Sequence, residues 1–159
     1  MMKEHKIFPF NNRVEAGLRM LIVLTSGFPL SFDLERLVFY DYMVVHSGDI
    51  DKNVQSIHPA VPNRTGEIFI RRTVLQDGMD LFCNKGLIKK VYSSEGISYS
   101  ATESAMPFLE SLTEEYTEGL INRSDWLINR YGETKIEDLR EIFSAAMPIA
   151  KNEFNLDIL

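Results

Sequence analysis

His46, Asp49 and His58 are the residues of this chain whose types could hold a metal. Imidazole nitrogen and carboxylate oxygen are both zinc donors, and the spacing of His46 and Asp49 suits one side of a helix end. A closed tetrahedral site needs a fourth ligand, and the other histidine, His5, is far away in sequence. The same residues have a plainer use as a structural loop: Asp49 caps the connection and both histidines fix it by hydrogen bonds. A histidine–carboxylate pair there has no credibly placed serine or cysteine nucleophile to activate. The single cysteine, Cys83, lies in the apolar run Leu81-Phe82-Cys83 and reads as a small buried hydrophobe. A phosphate-binding loop with Gly-Lys-Ser or Gly-Lys-Thr is absent. The expectation is therefore no catalytic residues, no metal and no cofactor.

The second group is basic. Arg64, Arg71, Arg72, Lys85, Lys89 and Lys90 stand against Glu67, Asp77 and Asp80 in the same segment. That leaves the segment at +3, and with a net charge of -6 for the chain the remainder carries -9. Such asymmetry points to a face for a polyanion or an acidic protein. An acidic total weighs against strong autonomous DNA binding. Ile68, Phe69 and Ile70 also leave few polar groups where base edges would be read, which disfavours sequence-specific recognition. A partner face or non-specific contact with double-stranded DNA is the reading for these six residues. Tyr40, Asp41 and Tyr42 form a second candidate interface patch, since tyrosine anchors interfaces well, although such a cluster is more often half core and half surface. Glu110, Glu114, Glu115 and Glu118 read as a solvated acidic stripe.

The elements that must position these residues follow from periodicity and stop signals. After an arm at 1–12, whose Ile7, Phe8 and Phe10 call for docking, Val14, Leu18, Leu21, Ile22 and Val23 predict a helix over Arg13 to Ser26. Gly27 and Pro29 end it. Ser31 or Asp33 caps a second helix that runs to about His46. A long connection follows, with Pro59 and Pro62, and then a third helix from about Glu67 to Asn84 that stops at Gly86. Residues 87–92 and 97–101 predict two strands joined by the four-residue link Ser93-Ser94-Glu95-Gly96. Helices then continue from Thr102 to Gly132, with Pro107 in an early turn, and Thr134 with Glu137 reads as a capping box for a last helix. The fold class is mainly α: a winged helix-turn-helix with a short β-hairpin wing and a C-terminal helical extension. The expected division is a winged-helix core with its arm at 1–101 and an extension at 102–159 packed on it as one structural unit. At 159 residues and 45% hydrophobic, one domain with a real core is the natural size.

Val14-Glu15-Ala16-Gly17-Leu18-Arg19, Phe39-Tyr40-Asp41-Tyr42, Val45-His46-Ser47-Gly48-Asp49, Ile57-His58-Pro59, Arg64-Thr65-Gly66-Glu67 and Arg71-Arg72, followed by the hairpin, Ala101-Thr102-Glu103 and a helical tail, carry a resemblance. Together they resemble the middle component of bacterial ABC three-component systems, the group that includes the accessory subunit of Lamassu-type anti-phage defence. The resemblance spans nearly the whole chain. It implies an accessory or adaptor subunit, not an enzyme, between a coiled-coil ABC ATPase of the SMC, chromosome-maintenance type and an effector, often a nuclease. It carries no established catalytic residues. The alternative from the residues themselves is a winged-helix DNA-binding transcription regulator. The longest apolar run, Met20 to Leu24, is too short to span a bilayer, so the expected setting is cytoplasmic with no membrane partner.

Overall fold

A computed structural model describes residues 12–58 and 64–146, with residues 64–70 described for their backbone only. The order is α1 (Arg13–Ser26), β1 (Phe32–Asp33), α2 (Leu34–Val45), a single 3-10 turn (Ser47–Asp49), α3 (Arg64–Asn84), β2 (Ile88–Ser93), β3 (Gly96–Ala101), α4 (Ala105–Glu110), α5 (Glu115–Tyr131) and α6 (Ile136–Ala146). The fold is mainly α with a β-hairpin, as the periodicity predicts. The arm at 1–11, Pro59, Pro62 and the tail from Met147 onward lie outside the described residues.

The helix ends have local causes. Asn12 caps α1 by accepting the Glu15 N–H at 2.9 Å, and Asp33, not Ser31, caps α2 by accepting the Arg36 N–H at 2.9 Å. Each side chain satisfies a backbone donor that has no partner inside the helix. At the far end of α3 the Leu87 N–H reaches the Phe82 carbonyl at 3.1 Å, and Gly86 takes a φ of +77°. This is a closure that glycine accepts without a Cβ penalty. Three differences from the sequence reading concern boundaries. α3 begins at Arg64, so Arg64-Thr65-Gly66 belong to the helix and not to the loop. The strands run to Ser93 and from Gly96, leaving a two-residue link, with Gly96 at φ +119°. The first backbone bond of α6 runs from Leu139 N to the Lys135 carbonyl at 3.0 Å, which places Thr134 one residue outside the cap position.

The sheet has the order β1-β3-β2 and is antiparallel throughout, with Phe32 opposite Tyr99 and Lys90 opposite Tyr99 from the other side. α2 is the centre of the molecule. Every residue from Leu37 to Val45 is buried, which requires packing on all faces of the helix. Phe32 meets Tyr40 edge-on at 5.3 Å between ring centres, and Phe143 of α6 meets Phe39 at 4.7 Å and Tyr42 at 5.4 Å. Leu120 and Leu127 of α5, with Leu139 and Phe143 of α6, belong to the same buried cluster as α1 and α2. Val14, expected on the buried face of α1, is 54% exposed.

α1 and α3 cross where two glycines meet. A Cβ on Gly78 would lie 2.5 Å from the Arg13 carbonyl oxygen and 2.6 Å from the Gly17 nitrogen. A Cβ on Gly17 would lie 2.5 Å from the Phe82 ring and 2.7 Å from the Gly78 carbonyl. The backbones touch there, and that close approach brings Arg19 on α1 and Arg71 on α3 toward the same side of α2.

Candidate functional site

At the centre of α2, Asp41 is fully buried. Arg19 from α1 donates to it from Nε at 2.7 Å and from Nη2 at 3.4 Å. Arg71 from α3 donates to its other oxygen, Oδ2. Burial by itself would raise the Asp41 pKa, but the two guanidinium groups outweigh it and hold the carboxyl at about 2. Burial opposes the charge on Arg19 as well; Asp41 more than offsets this and raises its pKa above the ordinary arginine value. Three charges therefore sit inside the fold, two positive and one negative. Truncating one partner of such a set would leave an uncompensated buried charge.

A ring of polar side chains extends from this centre. The Tyr116 hydroxyl on α5 lies 2.7 Å from His58 Nε2 and also accepts a hydrogen bond from Arg19. Burial first, then Arg19, His46 and Arg71, pushes His58 down to about 3, so the ring is neutral near pH 7. Burial pushes Tyr116 up to about 12. His46 stacks beside Tyr42 at 4.6 Å and meets His58 edge-on at 5.9 Å. The Arg71 guanidinium lies over the Tyr42 ring at 5.5 Å, and the Tyr42 hydroxyl donates to Asp49 Oδ2 at 2.7 Å.

The connection after α2 is pinned from both sides. His58 N and Ile57 N donate to the Val45 carbonyl at 2.8 and 3.0 Å, and Gly48 N donates to the Ser56 hydroxyl at 2.8 Å. Arg123 of α5 donates to the Ser47 hydroxyl and to the Gln55 carbonyl, and Arg130 reaches Asp51 at 3.3 Å. The histidines and Asp49 thus join this loop to α2 and α5. Among the described residues no group of three histidine, cysteine or acidic side chains is placed to hold a metal.

The sequence candidates separate into two places. Tyr40, Asp41 and Tyr42 are all at 0% exposure, so none of the three reaches the surface. Tyr40 donates to the Tyr131 carbonyl at 2.7 Å and accepts from Arg36 at 2.9 Å, which ties α2 to the end of α5. Arg71 is inside as well, while Arg72 next to it is half-buried. Helical geometry turns consecutive residues about a hundred degrees apart, which sends the two arginines to different environments. Lys85, Lys89 and Lys90 are exposed at the end of α3 and on β2. Lys90 stands 3.9 Å from Asp80, whereas Lys85 and Lys89 make no ion pair among the described residues. The Arg64 side chain lies outside the described residues. The exposed positions of α3 after Arg71 are Thr73, Asp77, Asp80 and Asn84, a strip without a cation. Cys83 is half-buried, not fully buried, and burial raises its thiol pKa. A buried thiol above its usual range is the unreactive kind.

The residue that sequence reasoning missed is Arg19. A signal was present: an arginine in the apolar run from Leu18 to Leu24, and an aspartate in the equally apolar run from Leu37 to Val45. Two opposite charges, each in a helix apolar all round, have to find one another inside the fold.

Residues 9–153 match the sequence family described as ABC-three component (ABC-3C) system Middle Component 2. The chain belongs to that family. No curated protein and no solved structure matches it. Within the Middle Component 2 family the whole arrangement above falls inside the matched span, from the α1 arginine to the α6 aromatic that covers Tyr42. As a middle component, the chain is one member of a system with other subunits. Among the described residues no helix is long and apolar enough to cross a membrane.

Proposed function

We propose that this chain is a non-catalytic adaptor in an anti-phage defence complex of the Lamassu type. It would sit between a coiled-coil ABC ATPase of the SMC type and an effector, with a nuclease as the expected effector. The observation that carries this reading is the match of residues 9–153 to a middle component. Support also comes from where the polar chemistry lies. Asp41, Arg19, Arg71, His58 and Tyr116 are bonded to one another inside the fold, a use that stabilises a scaffold. The exposed lysines of the hairpin, with Arg72, then offer the basic face for an acidic partner or for DNA phosphates.

A second reading keeps some support. The order α1-β1-α2-α3-β2-β3 with a β1-β3-β2 sheet fits a winged helix, and a transcription regulator of that class would use α3 in the major groove. Asp77 and Asp80 argue against it, because two exposed carboxylates on the described part of α3 would face phosphates, and Lys90, 3.9 Å from Asp80, offsets only one of them. One experiment separates the readings: co-purification of the tagged chain from its native host, with mass spectrometry of what accompanies it. Recovery of a coiled-coil ATPase and an effector supports the adaptor. Recovery of a specific promoter fragment without those subunits would install the regulator instead.

A further inference from the structure

Among the described residues β2 is the outermost strand of the sheet, bordered by β3 on one side. The direction of its backbone groups follows from one bond. Thr102 N donates to the Leu87 carbonyl at 3.0 Å, so Leu87 and Thr102 are a hydrogen-bonded pair at the foot of the hairpin. In an antiparallel ladder such pairs alternate with non-bonded ones. The register places Lys89 opposite Ser100, Val91 opposite Ser98 and Ser93 opposite Gly96, and these inherit the inward bonds. The N–H and C=O groups of Ile88, Lys90 and Tyr92 consequently point away from β3, along the open edge.

The side chains beside that edge are of two kinds. Tyr92 is 71% exposed, and its cross-strand neighbour Ile97 is 47% exposed. They continue the face on which Tyr99 is buried against α3, past the point where the core ends. On the other face Lys89 carries an ammonium with no partner among the described residues, and Lys85 stands likewise at the entry to the strand.

We infer that the β2 edge receives an extended segment of another subunit of the three-component system, added as a fourth antiparallel or parallel strand. The segment alternates apolar side chains, which cover Tyr92 and Ile97 on the α3 side, with carboxylates that neutralise Lys89 and Lys85 on the outer side. Main-chain bonding to Lys90 and Tyr92 supplies affinity, and the alternation supplies selectivity. Lysines on an edge strand also discourage pairing between identical edges, so the same residues that admit an acidic strand repel a second copy of β2. This inference rests on the accessory-subunit reading and locates the surface it uses.

The test is amide hydrogen exchange at single-residue resolution, on the isolated chain and on the chain co-purified with the other components of its system. The Lys90 and Tyr92 amides exchange freely in the isolated chain and become protected in the complex. Lys90→Pro removes an outward donor at an edge position that tolerates proline, and weakens capture of the partner by about tenfold or more. Lys90→Val, which keeps the donor, retains capture. Should Lys90→Pro fail to fold, the exchange data on the unaltered chain decide alone. A complex in which the Lys90 and Tyr92 amides exchange as freely as before overturns the strand addition and leaves the adaptor reading standing. Failure of any complex to form overturns both. Protection already present in the isolated chain also overturns the proposal, and light scattering then says whether a second copy fills the edge. Residues 153–158 have the same apolar–polar alternation in sequence. Leu156→Lys with Ile158→Lys in the full chain tests whether protection in the isolated chain comes from that segment instead.

Discussion

The molecule uses its cations in two opposite ways. Arg19 and Arg71 are withdrawn from water and face one carboxylate at the centre of the fold. Lys85 and Lys89 stand in water and make no ion pair among the described residues. The difference follows from the side chains and their settings. A guanidinium is planar, weakly hydrated and able to satisfy several acceptors at once, so it can be buried against Asp41 and Tyr116. An ammonium is strongly hydrated and stays at the surface on a flexible stem. What this teaches is that positive charge along one sequence segment is not one surface. Arg71 serves the scaffold, and the lysines remain available to something outside it.

The sharpest way to break the comparison is at Asp41. Asp41→Asn removes the carboxylate that two buried guanidinium groups share and should cost about 3–5 kcal/mol, read as a fall in denaturation midpoint. If the triple change Arg19→Met, Asp41→Leu and Arg71→Met restores most of that loss, the set serves specificity more than stability. A loss in the triple variant as large as in Asp41→Asn would mean the charges hold the helices together outright. Next comes the crossing that brings the arginines to Asp41. Gly78→Ala forces α1 and α3 apart and should cost about 1–3 kcal/mol, whereas Gly119, with open space where a Cβ would go, should accept alanine at nearly no cost.

A subtler effect concerns pH. The folded-state pKa of His58 is held down at about 3 against an ordinary 6.5. The unfolded chain binds the proton first, so this group contributes stability that is whole above pH 6.5 and is lost progressively toward pH 3. Asp41, at about 2 when folded, contributes stability above its ordinary 3.8 that is lost as pH falls toward 2. His58→Gln should therefore flatten the pH dependence of unfolding between 6.5 and 3 while leaving the drop below 4. An unchanged slope in that variant would show that His58 does not carry it. The smallest effect on stability is at the hairpin: Lys85→Glu with Lys89→Glu should change the unfolding free energy by less than about 0.5 kcal/mol. Partner capture from the native host should nonetheless fall. Stability that moves while capture does not would reverse the division between scaffold and surface.

Much of the secondary structure could be read before the fold was known. Helices over Arg13–Ser26 and Leu34–Val45 follow from apolar periodicity and from the stop and cap signals around them, and both lie where the pattern places them. The hairpin follows from alternating residues around Ser94-Glu95, since strand pairing there is local. Asp41 was harder to place because Tyr40-Asp41-Tyr42 has the composition of an interface. Only the packing of α1, α3, α5 and α6 around α2 turns that tripeptide inward. The partners of the loop, Tyr116, Arg123 and Arg130, lie more than fifty residues away, where periodicity carries no information.

The sequence by itself determined the helices, the hairpin and the family, because each rests on neighbours in the chain or on a pattern running its length. The tertiary structure alone decided which charges face inward. That choice depends on the contact between Gly17 and Gly78, which sets how closely two distant helices approach and so which arginine can reach Asp41. Desolvation then fixes the outcome: a charge drawn inside must find its counter-charge across the fold, and one that stays in water need not.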